Sequence, residues 1–168
     1  KALPLDGFVA KSYDAAAFVR QELGAETPLI LDHSLYSWNS AARDVFLQLA
    51  PERDTVPLEL NRSELFARDN HHSEAMVYGY LPLMTSAQCV HANTEKCDRK
   101  RGILYLKDRY GKYFPVKNNC TECYNTIYNT TPLMLFDERA DFLRMGIAAY
   151  RISFTIEEEE QAAFILDL

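Results

Sequence analysis

The chain has no apolar run long enough to cross a membrane. Its first residues, K-A-L-P-L-D-G, lack the apolar segment and cleavage site of a secretory signal. A reducing, cytoplasmic setting without membrane contact is therefore expected. The abrupt start, without an initiator Met, leads us to expect an excised piece of a longer protein. There is no internal repeat and no low-complexity tract, and Glu157–Glu160 is too short to be an acidic tail. Neither an H-E-x-x-H zinc motif nor a G-x-S-x-G nucleophile elbow occurs, which removes two common hydrolase designs. Cysteine is scarce: there are four, and none lies outside residues 89–123.

What is present is ordinary for one globular domain. The 168 residues are 48% hydrophobic, enough to bury a core. The net charge of −6 argues against indiscriminate binding to nucleic acid, but it is unevenly spread. Between Lys96 and Lys117, eight basic residues (Lys96, Arg99, Lys100, Arg101, Lys107, Arg109, Lys112, Lys117) face only Asp98 and Asp108, a local +6 that leaves −12 for the remainder. Tyr105, Tyr110, Tyr113 and Phe114 interleave with them. A basic, aromatic ribbon of this kind suits phosphates and bases, and Lys100, Arg101, Arg109, Tyr110 and Tyr113 are its expected substrate contacts. A solvated hairpin with ordinary surface lysines would read the same way.

The cysteines stand at C-x7-C-x22-C-x2-C: Cys89, Cys97, Cys120 and Cys123. Their clustering marks a metal site or a cross-link. Four thiolates around an iron–sulfur cluster or zinc is one reading, two disulfides a second, four reduced thiols a third. A chain of this size in a reducing compartment has little need of disulfides, which favours the metal. A zinc ribbon shows two short C-x-x-C knuckles, whereas only Cys120/Cys123 is short here, which tilts the choice toward iron–sulfur.

Along the chain, apolar runs alternate with amphipathic ones. Strands are expected at Leu5–Ala10, Pro28–Leu31, Thr55–Leu60, Ala75–Tyr80, Pro132–Phe136 and Arg151–Thr155. Helices are expected from Asp14, as N-cap, to about Leu23 with Gly24 as the stop, and over Ser40–Leu49, Ser63–Ala67, Asp137–Met145 and Glu157–Leu168. This is an α/β pattern of parallel βαβ units whose strands are apolar on both faces. About six such strands fall short of the eight in a closed barrel. Ile103–Lys107 and Tyr113–Val116, around Gly111, predict an antiparallel hairpin that Asp108 and Arg109 brace. In a barrel the polar groups after each strand face the mouth, here Asp32 with His33, Glu59 with Asn61, Tyr78, and Glu157. Asp32 and Glu59 would be equivalent on neighbouring strands and could do acid–base work, with Tyr78 as a third catalytic candidate. Helix capping is the competing role for Asp32 and Asn61. His71-His72 reads as exposed loop.

Three runs carry a resemblance: Y-G-Y-L-P-L-M-T-S-A-Q-C from Tyr78, L-K-D-R-Y-G-K-Y-F-P-V from Leu106, and C-x-x-C-Y-N-T-I-Y-N from Cys120. With D-H-S-L-Y-S-W-N from Asp32 and T-V-P-L-E-L-N-R-S-E-L from Thr55, they resemble the collagenase-like peptidase family, number thirty-two among peptidases of unassigned mechanism. The resemblance covers nearly the whole chain. It implies a partial TIM-like (βα) barrel over 1–88 and 124–168, with 89–123 as a cysteine-rich β-hairpin insertion. It implies that Cys89, Cys97, Cys120 and Cys123 hold a 4Fe-4S cluster, with zinc as the alternative. Members are known as collagenase-like proteases, and others are similar to iron–sulfur proteins that hydroxylate RNA bases or the quinone ring, some with prephenate as hydroxyl source. The expected partners are a structured tRNA or rRNA, or a peptide substrate, together with the rest of the barrel or a second subunit. The cysteines and the ribbon favour RNA hydroxylation over proteolysis, and a zinc-stapled binding module without catalysis is the third reading.

Overall fold

A computed structural model describes residues 4–94, 97, 99, 102–147 and 149–168. Lys96, Asp98, Lys100 and Arg101, all part of the expected basic ribbon, lie outside the described residues. The chain is a mixed α/β protein and divides into two compact units, residues 1–76 with 137–151, and residues 77–136 with 152–168.

The first unit holds a parallel sheet. β1 (Phe8–Ala10), β2 (Leu29–Leu31), β3 (Arg53–Thr55) and β4 (Ser73–Gly79) are neighbours in chain order, each pair parallel, as the alternation predicts. A sequential order without reversal has no topological switch point and is the order of a (βα) barrel segment rather than of a doubly wound sheet. β10 (Ala149–Ser153) follows β4 in the sheet. Helices α1 (Tyr13–Phe18) and α2 (Ser40–Leu47) supply Ala16 and Phe46, and Val19 just after α1 joins them, in a core with Ala10, Leu29 and Leu31. Ala10, Leu29 and Leu31 share one sheet face because side chains alternate along a strand.

Several boundaries move, each for a local reason. Ser12 rather than Asp14 caps the first helix, its hydroxyl accepting from Ala15 N–H at 3.2 Å. After Phe18 the helix widens into a π-turn, Val19–Leu23, and Gly24 ends it at φ 92°. β3 stops at Thr55 instead of running to Leu60, because Pro57 has no N–H to continue a ladder. α3 (Arg62–Ala67) opens with the capping box Asn61/Glu64, so Asn61 is a helix cap. Residues 132–136 give only β9 (Leu133–Met134), and it pairs antiparallel with Tyr78–Gly79 rather than adding a parallel barrel strand. α5 (Arg139–Arg144) stops near Gly146, which sits at φ 77°.

The second unit is built on a four-stranded antiparallel sheet in the order β5 (Pro82–Ser86), β8 (Tyr124–Tyr128), β7 (Tyr113–Asn119), β6 (Ile103–Lys107). The β6–β7 hairpin lies where Gly111 predicts it. β5 is a strand the sequence does not announce. α4 (Val90–Thr94) sits between β5 and β6, and α6 (Glu159–Leu166) closes the chain behind a Glu158/Gln161 capping box, which leaves Glu157 outside the helix. Among the described residues no helix is long and apolar enough to cross a membrane.

Candidate metal centre

The β7–β8 turn is Cys120-Thr121-Glu122-Cys123. Cys123 sits at φ 56°, a left-handed backbone that costs a non-glycine residue about 1–2 kcal/mol. Cys89 caps α4: its Sγ accepts from Ala92 N–H at 3.4 Å and its carbonyl from Asn93 N–H at 3.1 Å. Cys89 and Cys120 are half-buried, Cys97 and Cys123 exposed, and none is in a disulfide. Together the four line one cavity of about 140 Å³. Its wall includes Asn118 and Asn125, which stand opposite each other across β7 and β8 and are 6% and 0% exposed. Asn125 Nδ2 donates to Gln88 O at 2.9 Å, whereas both Asn Oδ1 atoms are buried without a hydrogen-bond partner. Among the described residues no His, Asp or Glu lines the cavity, so the donors they offer are soft sulfur. Among the described residues no three metal-ligating side chains stand close enough to grip a single ion. A tetrahedral zinc site needs its sulfurs within about 4 Å of one another, given Zn–S near 2.3 Å. A cluster brings its own sulfides and spans a wider gap.

Beside the cysteines, the hairpin is braced as its sequence predicts. Asp108 Oδ1 accepts from Tyr110 and Lys112 N–H, each at 2.8 Å, and Gly111 takes φ 82° in the turn. The Arg109 guanidinium lies 4.7 Å over the Tyr110 ring. Lys107 and Tyr113 are direct cross-strand partners, and the ammonium stands 5.3 Å over that ring. Tyr105, Tyr110 and Tyr113 are each more than half exposed. Lys117 departs from the expected ribbon: its Nζ donates to Thr155 O at 2.7 Å, so it is a structural tie.

Tyr78 is buried, 3% exposed, between the rings of Phe136 and Phe154. Burial, reinforced by the negative charge of Glu157, pushes its phenol up to about 12. It therefore keeps its proton at neutral pH and can donate but not act as a base. Glu157 Oε2 accepts from Thr155 and Ile156 N–H at 2.5 and 2.9 Å.

In the first unit the expected pairing of Asp32 with Glu59 does not form. Glu59 is exposed in a turn four residues beyond β3. The residue level with Asp32 on β3 is Thr55, one step past the Leu31/Asp54 pair, and Thr55 is level with Glu74 on β4. Side chains at one level of a parallel sheet share a face, so Asp32, Thr55 and Glu74 form a row. Arg151 from β10 completes it: Nη1 bonds Asp32 Oδ1 at 2.5 Å and Nη2 pairs with Glu74, which also accepts from Thr55 Oγ1 at 2.9 Å. Burial would raise the Asp32 carboxyl, but the His33 hydrogen bond and charge, with two bonds from Ser34, hold it well below the usual carboxylate range. One level earlier, on the opposite face, Asp54 takes Ser37 Oγ at 2.6 Å, Ser73 Oγ at 2.5 Å and the Arg68 guanidinium. No sequence motif marks Glu74, Arg151, Asp54 or Arg68 as site residues. Only a charge inside an apolar run, as in S-E-A-M-V-Y-G, hints at a paired group.

No family model, no curated protein and no solved structure matches the chain. The likeness to the collagenase-like peptidases therefore rests on the sequence motifs alone.

Proposed function

We propose that the chain is the cluster-bearing part of an iron–sulfur protein that hydroxylates a base in structured RNA, as its likeness to the collagenase-like peptidase family implies. One observation carries this reading: all four cysteines line a single cavity, with no other strong ligand in its wall among the described residues. Cys89, Cys97, Cys120 and Cys123 would hold the group, which supplies one-electron transfer when bound. Arg109, Lys107 and Lys112 supply phosphate contacts, and Tyr110 and Tyr113 offer exposed faces for bases. Tyr78 serves as a proton-bearing donor. The sequential parallel sheet is read as part of a TIM-like barrel completed by further chain or a second subunit, with the cysteine segment as an insertion. A thiol peptidase is the weaker reading, since among the described residues no histidine or carboxylate lines the cavity to activate a nucleophile.

The test is anaerobic reconstitution with iron and sulfide. Broad sulfide-to-iron absorption and about four irons per chain are expected for a cubane cluster. Stoichiometric zinc with no iron uptake overturns the reading.

The RNA limb is tested separately by titrating structured tRNA and rRNA fragments across a range of salt. Arg109→Ala should make the slope of log affinity against log salt shallower by about 1, because one phosphate is no longer neutralised. Tyr113→Ala should cost about 1–3 kcal/mol at every salt concentration if the ring stacks on a base. Identical curves for parent and both variants would leave the hairpin as solvated surface.

A further inference from the structure

Away from the cysteines, the first unit contains two arginines whose charge is incompletely used. Arg43 lies one turn into α2 and is half-buried. Among the described residues its guanidinium makes no ion pair and no side-chain hydrogen bond, which is unusual for a partly buried arginine. Arg68 is held more tightly, its side chain 6% exposed. Its Nη1 donates to Asn70 Oδ1 at 2.6 Å and Ser73 Oγ at 2.9 Å, and its Nη2 to Ser37 Oγ at 3.2 Å and to Asp54. Its Nε is buried with no partner at all. Burial lowers the Arg68 guanidinium, Asp54 opposes that, and the neighbouring Arg43 lowers it further. The two cations lie close enough to repel.

Both arginines line a cavity of about 480 Å³, together with Trp38, Asn39 and Ser40. Asn39 caps the eight-residue helix α2, and its Oδ1 takes Ala42 N–H at 2.9 Å. The N–H groups of Ser40 and Ala41 remain at the positive end of the helix. Two carboxylates, Glu64 and Asp69, also border this space, and the charge of Asp69 is felt by both arginines. Glu64 Oε2 accepts from Asn61 N–H at 2.7 Å, and Asp69 Oδ1 accepts from His71 N–H at 3.2 Å and lies 2.8 Å from its Nδ1.

We propose that this cavity is a binding site for a small oxyanion, a phosphate or a carboxylate. The anion sits on the Arg43 fork, beside the Arg68 guanidinium and at the first turn of α2, with Trp38 as the flanking wall. An anion would pair the unused fork and relieve the repulsion between the two guanidinium groups. The site shares no residue with the cysteine cavity, so it stands or falls independently of the iron–sulfur reading.

The single tryptophan of the chain is Trp38, 48% exposed in the cavity wall, so intrinsic fluorescence reports on this site. The full chain is titrated with inorganic phosphate and with acetate, chloride holding the ionic strength constant. A saturable change with at least one of them is expected; phosphate alone identifies a phosphate-type ligand, and acetate a carboxylate. Arg43→Gln should weaken the response about tenfold or more, since the charged two-pronged grip on the anion is removed. Arg43→Lys, keeping charge without the fork, should fall between. Arg139→Gln, at an exposed position on α5, should match the parent. Far-UV dichroism of Arg43→Gln should overlay that of the parent. No saturable response to either anion, or equal titrations for parent and Arg43→Gln, overturns the proposal.

Discussion

Replacing Arg151 with Ala is expected to lower the stability of the chain by about 3–5 kcal/mol, the usual cost of stranding buried charge. Among the described residues Arg151 is the one cation joining Asp32 and Glu74, whose side chains are 3% and 7% exposed. Truncation leaves two carboxylates in one layer, with only Thr55, Ser34 and His33 to serve them. Adding Glu74→Gln to Arg151→Ala should recover part of the loss, because one of the stranded charges is then gone. Urea unfolding followed by far-UV dichroism measures both variants. A loss below about 1 kcal/mol for Arg151→Ala would mean that water serves these groups and the row is not a true network.

The same row has a pH signature. The Asp32 carboxyl titrates lower in the folded chain than the 3.8 of a free aspartate. Its contribution to stability is therefore complete above that value and is lost as pH falls below it. The melting temperature of the parent should drop below about pH 4, and Asp32→Asn, already destabilised at pH 7, should show a flatter acid limb.

This row also shows where the sequence stops informing. Alternating apolar runs and amphipathic stretches are enough to give parallel β2, β3 and β4 with α1 and α2 packed against them, because each signal is local. Asn61, Gly24 and Gly111 are readable for the same reason: a cap or a turn involves residues three or four apart. Glu74 is not readable as the partner of Asp32. Their meeting depends on strand register and on Arg151, 119 residues from Asp32 along the chain. Lys117 misleads for a related reason, since its ammonium goes to a carbonyl 38 residues away rather than to solvent. Pro57 is the local signal for the early end of β3, and the exposed residues of β5 carry too little apolar pattern to announce a strand.

Cys123→Gly should abolish iron incorporation while leaving the apoprotein as stable as the parent or more so. Cys123 bears a steric cost of about 1–2 kcal/mol for its φ of 56°, and glycine removes that cost. Glycine loses about 0.5–1 kcal/mol through the greater freedom of the unfolded chain, so the net change lies between zero and a small gain. Its Sγ makes one weak interaction, 3.8 Å from Cys120 O, and an exposed side chain gives up little packing. A left-handed cysteine in a turn is expected where the thiol is needed more than the backbone is relaxed. Iron per chain after anaerobic reconstitution should fall from about four to a tenth of that or less, because a cubane is held by all four thiolates. Cys97→Ser, at the other exposed position, should lose iron to the same degree. Thermal melting of the unreconstituted proteins separates ligand loss from misfolding. If Cys123→Gly and Cys97→Ser both reconstitute like the parent, the cavity holds four ordinary thiols and the cluster reading fails. If only Cys97→Ser does, the centre is a three-thiolate site with its fourth position open, as at a catalytic metal.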